Sequence, residues 1–463
     1  MSILIVSKII SLGLIFFSNI FLARYLDINI FGAFNFAKTL GSILIVITNV
    51  GLPILMVKDL SQDNKQQSFY YNIINTYRIL VNSFCIAILA ILLTFLDYEY
   101  NEKLAIFAIT TSYILSNSII GLNESLFQVN FKYKNIAVVN ITNALGDVII
   151  GFLAYYFDIT INLFFLLFFI KSVIVAGYNI KIVNRDVLKI QFLLNKKYLN
   201  FLWRKIKESI NIFLTTLFSL INNYFDVIFL SIIQGTVSVG LYSAGYKLFP
   251  VFNVIPTMVM KVMFPEISRA DKEQGKVLLR KTLKVLNYIY LVIVVFISFN
   301  AEKVIEIIFS NKYSSSSQVL LILTYSLVGT YLLYPILSYL NATGNDKYAR
   351  NIAIAMSFCN VILNCILVPR YDFVGAAWGT FFSTIFAGII SVKTLLNIHV
   401  ITFKYISGIV LFIIINIIQI KFVHMYSCNN YLKTLASLFV ITILIVWAER
   451  KVIISLILKE EER

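Results

Sequence analysis

Apolar stretches of about twenty residues recur along this chain with short polar breaks between them, and no other feature constrains the fold as much. Crossing about 30 Å of hydrocarbon at 1.5 Å per residue takes about 20 apolar residues in a helix. Lipid offers no partner to a bare backbone N–H or C=O, so such stretches span as α-helices. Twelve of them run over 3–23, 33–57, 77–96, 104–122, 136–157, 160–183, 209–233, 240–264, 283–299, 318–341, 351–368 and 373–396. Two more, 401–420 and 432–456, decide between twelve helices and fourteen. The expected class is an all-α integral membrane protein.

Charge agrees with that reading. Only 13% of residues are charged and the mean hydropathy is +0.84, whereas a soluble domain carries about 25% charged residues to keep its surface wet. The net charge of +16 is not a nucleic-acid footprint, because the cations lie in the loops. With a cytoplasmic N-terminus, 27 of the 39 Lys and Arg fall in inner loops and ends, 7 in outer loops and 5 inside spans. The positive-inside rule then places both termini in the cytoplasm. The outer loops are short, one of them acidic (Asp97, Glu99, Glu102), and leave no outer domain to hold a soluble active site. The longest polar stretch, 184–208, is basic and reads as a cytoplasmic linker between residues 1–183 and 209–396, with 397–463 adding two further helices. Residues 1–23 lack a small-residue cleavage pattern and read as the first span rather than a leader. Cys85, Cys359, Cys365 and Cys428 show no metal-ligand or CxxC spacing and read as apolar fillers.

The chain also echoes itself. Phe31-Gly32-Ala33-Phe34-Asn35-Phe36-Ala37 opens the second span as Val239-Gly240-Leu241-Tyr242-Ser243-Ala244-Gly245 opens the eighth, at an offset of 208. Tyr133-Lys134-Asn135-Ile136-Ala137 matches Ala349-Arg350-Asn351-Ile352-Ala353 at an offset of 216. Similar offsets at two places suggest two six-helix halves of parallel topology, a plan that puts a transporter's substrate at the interface between halves.

The same stretches carry a family resemblance. Phe21 to Leu26, Phe31 to Phe34, Asn49-Val50-Gly51-Leu52-Pro53, Gly240 to Tyr246, Phe264-Pro265-Glu266-Ile267-Ser268-Arg269, and Asn364 to Pro369 with Gly375-Ala376-Ala377 follow one another in a fixed order. In that order they resemble the polysaccharide transporter branch of the multidrug/oligosaccharidyl-lipid/polysaccharide exporter superfamily, the Wzx-type O-antigen flippases. The resemblance implies a MATE-like arrangement of two bundles around a central cavity in a bacterial inner membrane. It also implies an undecaprenyl-pyrophosphate-linked oligosaccharide as cargo, no cofactor, and possible contact with other polysaccharide assembly proteins.

Charges inside spans are expensive, about 2.5–3.5 kcal/mol each on insertion scales, so each is a functional candidate. They are Lys8, Lys38, Asp147, Lys171, Asp226, Lys247 and Lys261. The positive excess suits a pyrophosphate, which ammonium groups in a low-dielectric cavity attract strongly. Lys38 maps at the 208 offset onto Tyr246, beside Lys247, so the two lysines are expected to face each other across the cavity or else to snorkel at the interface. Asp226 is either a coupling site for a proton or cation, or half of a buried ion pair. Asp147 and Lys171 are expected to pair between helices five and six as packing glue, with Lys171 also a substrate-binding candidate. Arg24 closes the first span at a family position, and Lys8 and Lys261 are expected to snorkel.

Pro250, Pro256 and Pro335 each remove a helical hydrogen bond and permit a bend. Gly375 and Gly379 form a GxxxG stripe for close helix approach. Tyr242, Tyr246, Tyr331 and Tyr334 read as sugar-stacking platforms or as an interfacial aromatic belt. No Walker A, GxSxG or HExxH sequence occurs, and His399 and His424 stand without metal-ligand company. Two other functions remain open. A MATE-type cation-coupled drug antiporter needs acids facing its cavity, yet the first span holds Lys8 and no acid. A membrane polysaccharide polymerase or glycosyltransferase, an enzyme, needs the outer loop that this chain lacks.

Overall fold

The computed structural model describes residues 2–62, 66–193 and 195–400, together with Lys433 and Ser437. The expected spans at 401–420 and 432–456, with Cys428 and His424, lie outside the described residues. Among the described residues every regular element is helical: α1 (Ser2–Tyr25), α2 (Ile28–Asn49), α3 (Leu52–Gln62), α4 (Gln67–Phe95), α5 (Tyr100–Val129), α6 (Tyr133–Phe157), α7 (Ile161–Asp186), α8 (Lys196–Gln234), α9 (Thr236–Tyr246), α10 (Phe249–Arg269), α11 (Lys272–Phe309), α12 (Ser316–Ala342) and α13 (Asp346–Asn397). Nine of these are long and apolar enough to cross a membrane, and two bent pairs, within α8 and across α9 and α10, bring the total to eleven. Large side chains such as Phe17, Ile91, Phe95 and Ile174 point outward from them, the reverse of a soluble protein.

Helix α13 counts twice. Its 52 residues would extend roughly 78 Å, far beyond one bilayer crossing, and it breaks at Asp372, where φ is +55°. The arms 346–371 and 373–397 fold back on each other. A Cβ on Gly375 would lie 2.3 Å from the Leu367 carbonyl oxygen, one on Gly379 would meet Asn364, and Asn360 donates to the Ser383 hydroxyl. The glycine stripe read from sequence is the seam of this hairpin. With each bent pair taken as one span and α13 as two, the described residues up to 400 hold twelve spans.

Besides the bend within α8, two of the expected spans are broken. The stretch 33–57 is not one helix: it ends at Asn49 and restarts at Leu52, with Val50 (φ +46°) and Gly51 (φ +74°) in the left-handed region. Pro53 cannot donate to the preceding turn, and Gly51 packs so closely on α8 that a Cβ would lie 3.1 Å from the Ser209 carbonyl oxygen. The eighth span breaks ahead of its prolines. Helices α9 and α10 meet at 41°, and Pro250 sits in the first turn of α10, where its missing N–H costs nothing.

The chain forms two compact units that divide between Ser243 and Ala244. In the first, α1 packs on α6, α2 and α7 pack on α5, and α8 packs on α2 and α3. Its core gathers Tyr71, Leu122, Leu126, Val139 and Val183. The echoed segments meet here. A Cβ on Gly32 would lie 1.7 Å from the Thr236 carbonyl oxygen, and one on Gly240 would lie 2.3 Å from that of Ile28. Both pairings, 32 with 236 and 240 with 28, exchange under the 208 offset, as contacts across a local two-fold axis do. In the second unit α12 packs on α10, α11 and α13 around Leu279, Leu283, Ile336, Tyr339 and Leu395.

Segment 184–208 is built in three parts. Its described residues comprise the last turn of α7, an irregular connector over 187–193, and the first turns of α8. The connector docks on α4: Asn72 Oδ1 accepts from Gln191 N, and Thr76 Oγ1 accepts from Leu193 N. At its start, Asn135 Nδ2 donates to Asp186.

Candidate functional site

Three charges from three helices converge inside the first unit. Asp147 on α6 lies 2.8 Å from Lys171 Nζ of α7 through Oδ1, and 3.7 Å from Lys38 Nζ of α2 through Oδ2. Helical spacing builds the group. Phe34 sits four residues before Lys38, which places the ammonium 4.4 Å from the ring centroid. Asn143 sits four residues before Asp147, so its Oδ1 accepts from the same Lys171 at 2.6 Å. Gly146 clears the path of the Lys171 stem, since a Cβ there would lie 3.0 Å from it. The Ser18 hydroxyl of α1 donates to the Asp147 carbonyl oxygen and fixes α6 at that turn.

The cluster is almost closed. Its side chains are 11–21% exposed, and with Tyr113, Ser116, Asn117 and Phe168 they line a space of about 20 Å³. A single water needs roughly 10–15 Å³ on that measure, so the space takes a water and nothing as large as a phosphate. One carboxylate shared by two ammonium groups leaves one net positive charge.

A polar path leaves the cluster through Asn143, whose Nδ2 donates to Asn117 Oδ1 at 3.4 Å. The next residue, Ser118, accepts through its carbonyl from Arg78, a side chain only 1% exposed. Arg78 also donates to Asn75 Oδ1 at 2.8 Å, and Asn82 Nδ2 reaches the Ser118 hydroxyl at 2.8 Å. No carboxylate among the described residues lies within ion-pair distance of Arg78. Arg78, the second residue of the expected span 77–96, was not among the intramembrane charges named from sequence, and its burial was missed. The signal was present: Asn75 at i−3 and Asn82 at i+4 give α4 a polar face centred on Arg78.

The other candidates stand elsewhere. Asp226 is buried on α8 and accepts from the Tyr242 hydroxyl at 2.9 Å. Tyr242 is thus neither a sugar platform nor part of an exposed belt. Tyr331 is buried too and donates to the Phe252 carbonyl oxygen, while Tyr334 is exposed. Lys247 is half-buried in the link between α9 and α10, in the second unit. Arg24 is half-buried in the last turn of α1, and Lys8 and Lys261 are exposed. Among the described residues no three His, Cys, Asp or Glu side chains gather as metal ligands.

Comparison with known proteins supplies the class. Residues 1–271 match the polysaccharide biosynthesis protein family. A capsular polysaccharide biosynthesis protein, CapF of Staphylococcus aureus, is 24% identical over 283 residues, which is 57% of this chain and 69% of that protein. A lipid II flippase MurJ in an inward closed conformation superposes with a TM-score of 0.74 at 18% identity, covering 98% of this chain and 100% of that one. An inward-facing multidrug resistance MATE family transporter of the MOP superfamily superposes with a TM-score of 0.61 at 13% identity, covering 84% and 96%. At those identities the two structures speak for the fold, an all-helical membrane architecture of the MurJ and MATE kind. This chain belongs to the polysaccharide biosynthesis protein family.

Proposed function

We propose that the protein is a flippase that carries a pyrophosphate-linked oligosaccharide on an undecaprenyl lipid across a bacterial inner membrane by alternating access, with both termini cytoplasmic. The observation that carries this reading is the Lys38–Asp147–Lys171 cluster, a buried site with surplus positive charge in a helical membrane bundle. Buried cations attract a pyrophosphate more strongly than exposed ones, because little water screens them. In the closed cluster Asp147 stands where an anion would stand, occupying both lysines. Opening of the first unit around this point exchanges the carboxylate for the head group on Lys38, the most exposed member at 21%. Lys247 and Arg24 are further candidate cations for the head group, and Lys171 holds Asp147 in the exchanged state. Asp226, held by Tyr242, is the candidate coupling residue.

The MATE-type antiporter reading has one observation in its favour, the buried carboxylate of Asp147. That carboxylate is already shared by two ammonium groups, which compete with any bound cation, so the flippase reading is preferred. Lys38→Ala and Lys247→Ala should each abolish complementation of a flippase deletion while membrane abundance stays normal. Polymer export at wild-type rates by both variants would remove the head-group role.

A further inference from the structure

The start of α8 forms a second feature with no part in the transport reading. An open-sided groove of about 290 Å³ lies between α4 and α8. Its walls are Ile73, Tyr77 and Leu80 on one side and Tyr198, Leu199 and Leu202 on the other. The volume approaches the lower end of small-ligand pockets, roughly 300–1,000 Å³. Its polar lining includes Thr76, whose hydroxyl is already committed, donating to the Asn72 carbonyl and accepting from Leu193 N. The groove suits a hydrocarbon chain.

The two ends of this face differ in chemistry. Toward the start of α4, Phe201 packs on Phe69 and Tyr70, and Lys205 reaches Asp59 at 2.8 Å. Arg204 and Lys207 stand exposed on the same turns. Leu199, Trp203 and Lys207 share one helix face at four-residue spacing, with Leu199 and Trp203 59% and 61% exposed and the Lys207 ammonium 5.5 Å from the Trp203 ring centroid. Across 181–208 there are eight Lys and Arg but only two acids, Asp186 and Glu208. Asp186 is bonded to Arg185 and Asn135, and Glu208 to Lys205 and Arg204, so the segment keeps a surplus of positive charge. A docked apolar groove, an exposed Trp and a surplus of cations one turn away are the pattern of a helix lying at a lipid headgroup layer.

We propose that this groove binds an anionic phospholipid of the surrounding bilayer, one acyl chain lying against Leu80 and Leu199 and the phosphate meeting Arg204 and Lys207. A zwitterionic lipid fills the groove equally well but gains nothing from the cations, so the site selects by charge. A lipid held there braces α4 and the docked connector against the first turns of α8.

Trp203 reports on the site directly. In full-length protein carrying Trp378→Phe and Trp447→Phe, reconstituted into phosphatidylcholine vesicles, brominated phosphatidylglycerol should quench Trp203 with about fivefold higher relative affinity than brominated phosphatidylcholine, which is ~1 kcal/mol. Arg204→Gln with Lys207→Gln should bring the ratio to about one, while Leu80→Phe should weaken quenching by both lipids. Equal quenching by the two lipids in the parent protein overturns the proposal, as does selectivity that survives loss of both cations. These readouts involve no transport, so their failure leaves the flippase reading standing.

Discussion

Asp147→Asn separates the structural role of the charge cluster from its role in transport. The substitution keeps the shape of the side chain but turns one of its two acceptor oxygens into a donor amide and removes the charge shared by Lys171 at 2.8 Å and Lys38 at 3.7 Å. Two ammonium groups would then face each other with Asn143 Oδ1 as the best remaining acceptor. Breaking a buried ion pair from one side costs about 3–5 kcal/mol. Lys38 is partly solvated and its share is screened, so the lower end applies, ~3 kcal/mol, a fall of roughly 100-fold in the folded-to-unfolded ratio. Equilibrium unfolding of the purified protein in mixed micelles, titrated with a denaturing detergent, measures it. The companion variant is Lys38→Met/Asp147→Leu/Lys171→Met. Replacing a whole buried ion cluster with apolar side chains is often neutral or stabilising, so this triple variant should match or exceed wild-type stability yet export no polymer. Wild-type stability in Asp147→Asn would refute the electrostatic account of the cluster. Export by the stable triple variant would show the cluster to be packing alone.

Three further outcomes follow from the same geometry. Gly32→Ala places a Cβ 1.7 Å from the Thr236 carbonyl oxygen and should cost at least the ~1–3 kcal/mol of ordinary overpacking, whereas Gly13→Ala, with nothing within 4 Å, should be neutral or stabilising; thermal unfolding of the two variants side by side tests the α2–α9 contact. Arg78→Met leaves the Ser118 carbonyl and Asn75 without their donor and should destabilise by about 1–3 kcal/mol; Arg78→Lys should recover only part, because one ammonium cannot reproduce the forked contact, and identical stability of the two variants would count against it. Tyr242→Phe withdraws a donor from the buried Asp226 carboxylate, with an expected loss of ~1–3 kcal/mol in the same unfolding titration, and an unchanged midpoint would show that the hydroxyl does not support Asp226.

The spans were legible because lipid leaves a backbone almost no choice: an apolar stretch of the right length must be helical, and the hairpin at Asp372 was announced by Pro369 and the glycines of its seam. The break at Val50–Gly51 was harder to see, since the run 33–57 is mostly apolar on both sides of it and only the Gly51-Leu52-Pro53 inside the run signals a stop. The site was half legible. Cost alone puts Lys38, Asp147 and Lys171 among seven charges inside spans without separating them from the other four, and the Asp147–Lys171 pair joins consecutive helices. That Lys38 reaches the same carboxylate depends on α2 and α6 meeting in space, and no local pattern carries that. Arg78 escaped because a cation near the end of an apolar stretch looks like an anchor. Burial by Ser118, forty residues further along the chain, is a tertiary fact.

The echo within the sequence separates packing from chemistry. At the 208 offset the glycines coincide, and Gly32 and Gly240 press reciprocally against Thr236 and Ile28. A seam that brings two backbones into contact admits no Cβ from either side, so both copies carry glycine. The charges follow only in part. At the same offset Lys38 falls on Tyr246, one residue before Lys247, and at the 216 offset Asp147 and Lys171 fall on Leu363 and Ala387. The Lys38–Asp147–Lys171 cluster thus has no full counterpart at either offset, and the triple apolar variant tests whether it answers to a ligand or only joins its helices.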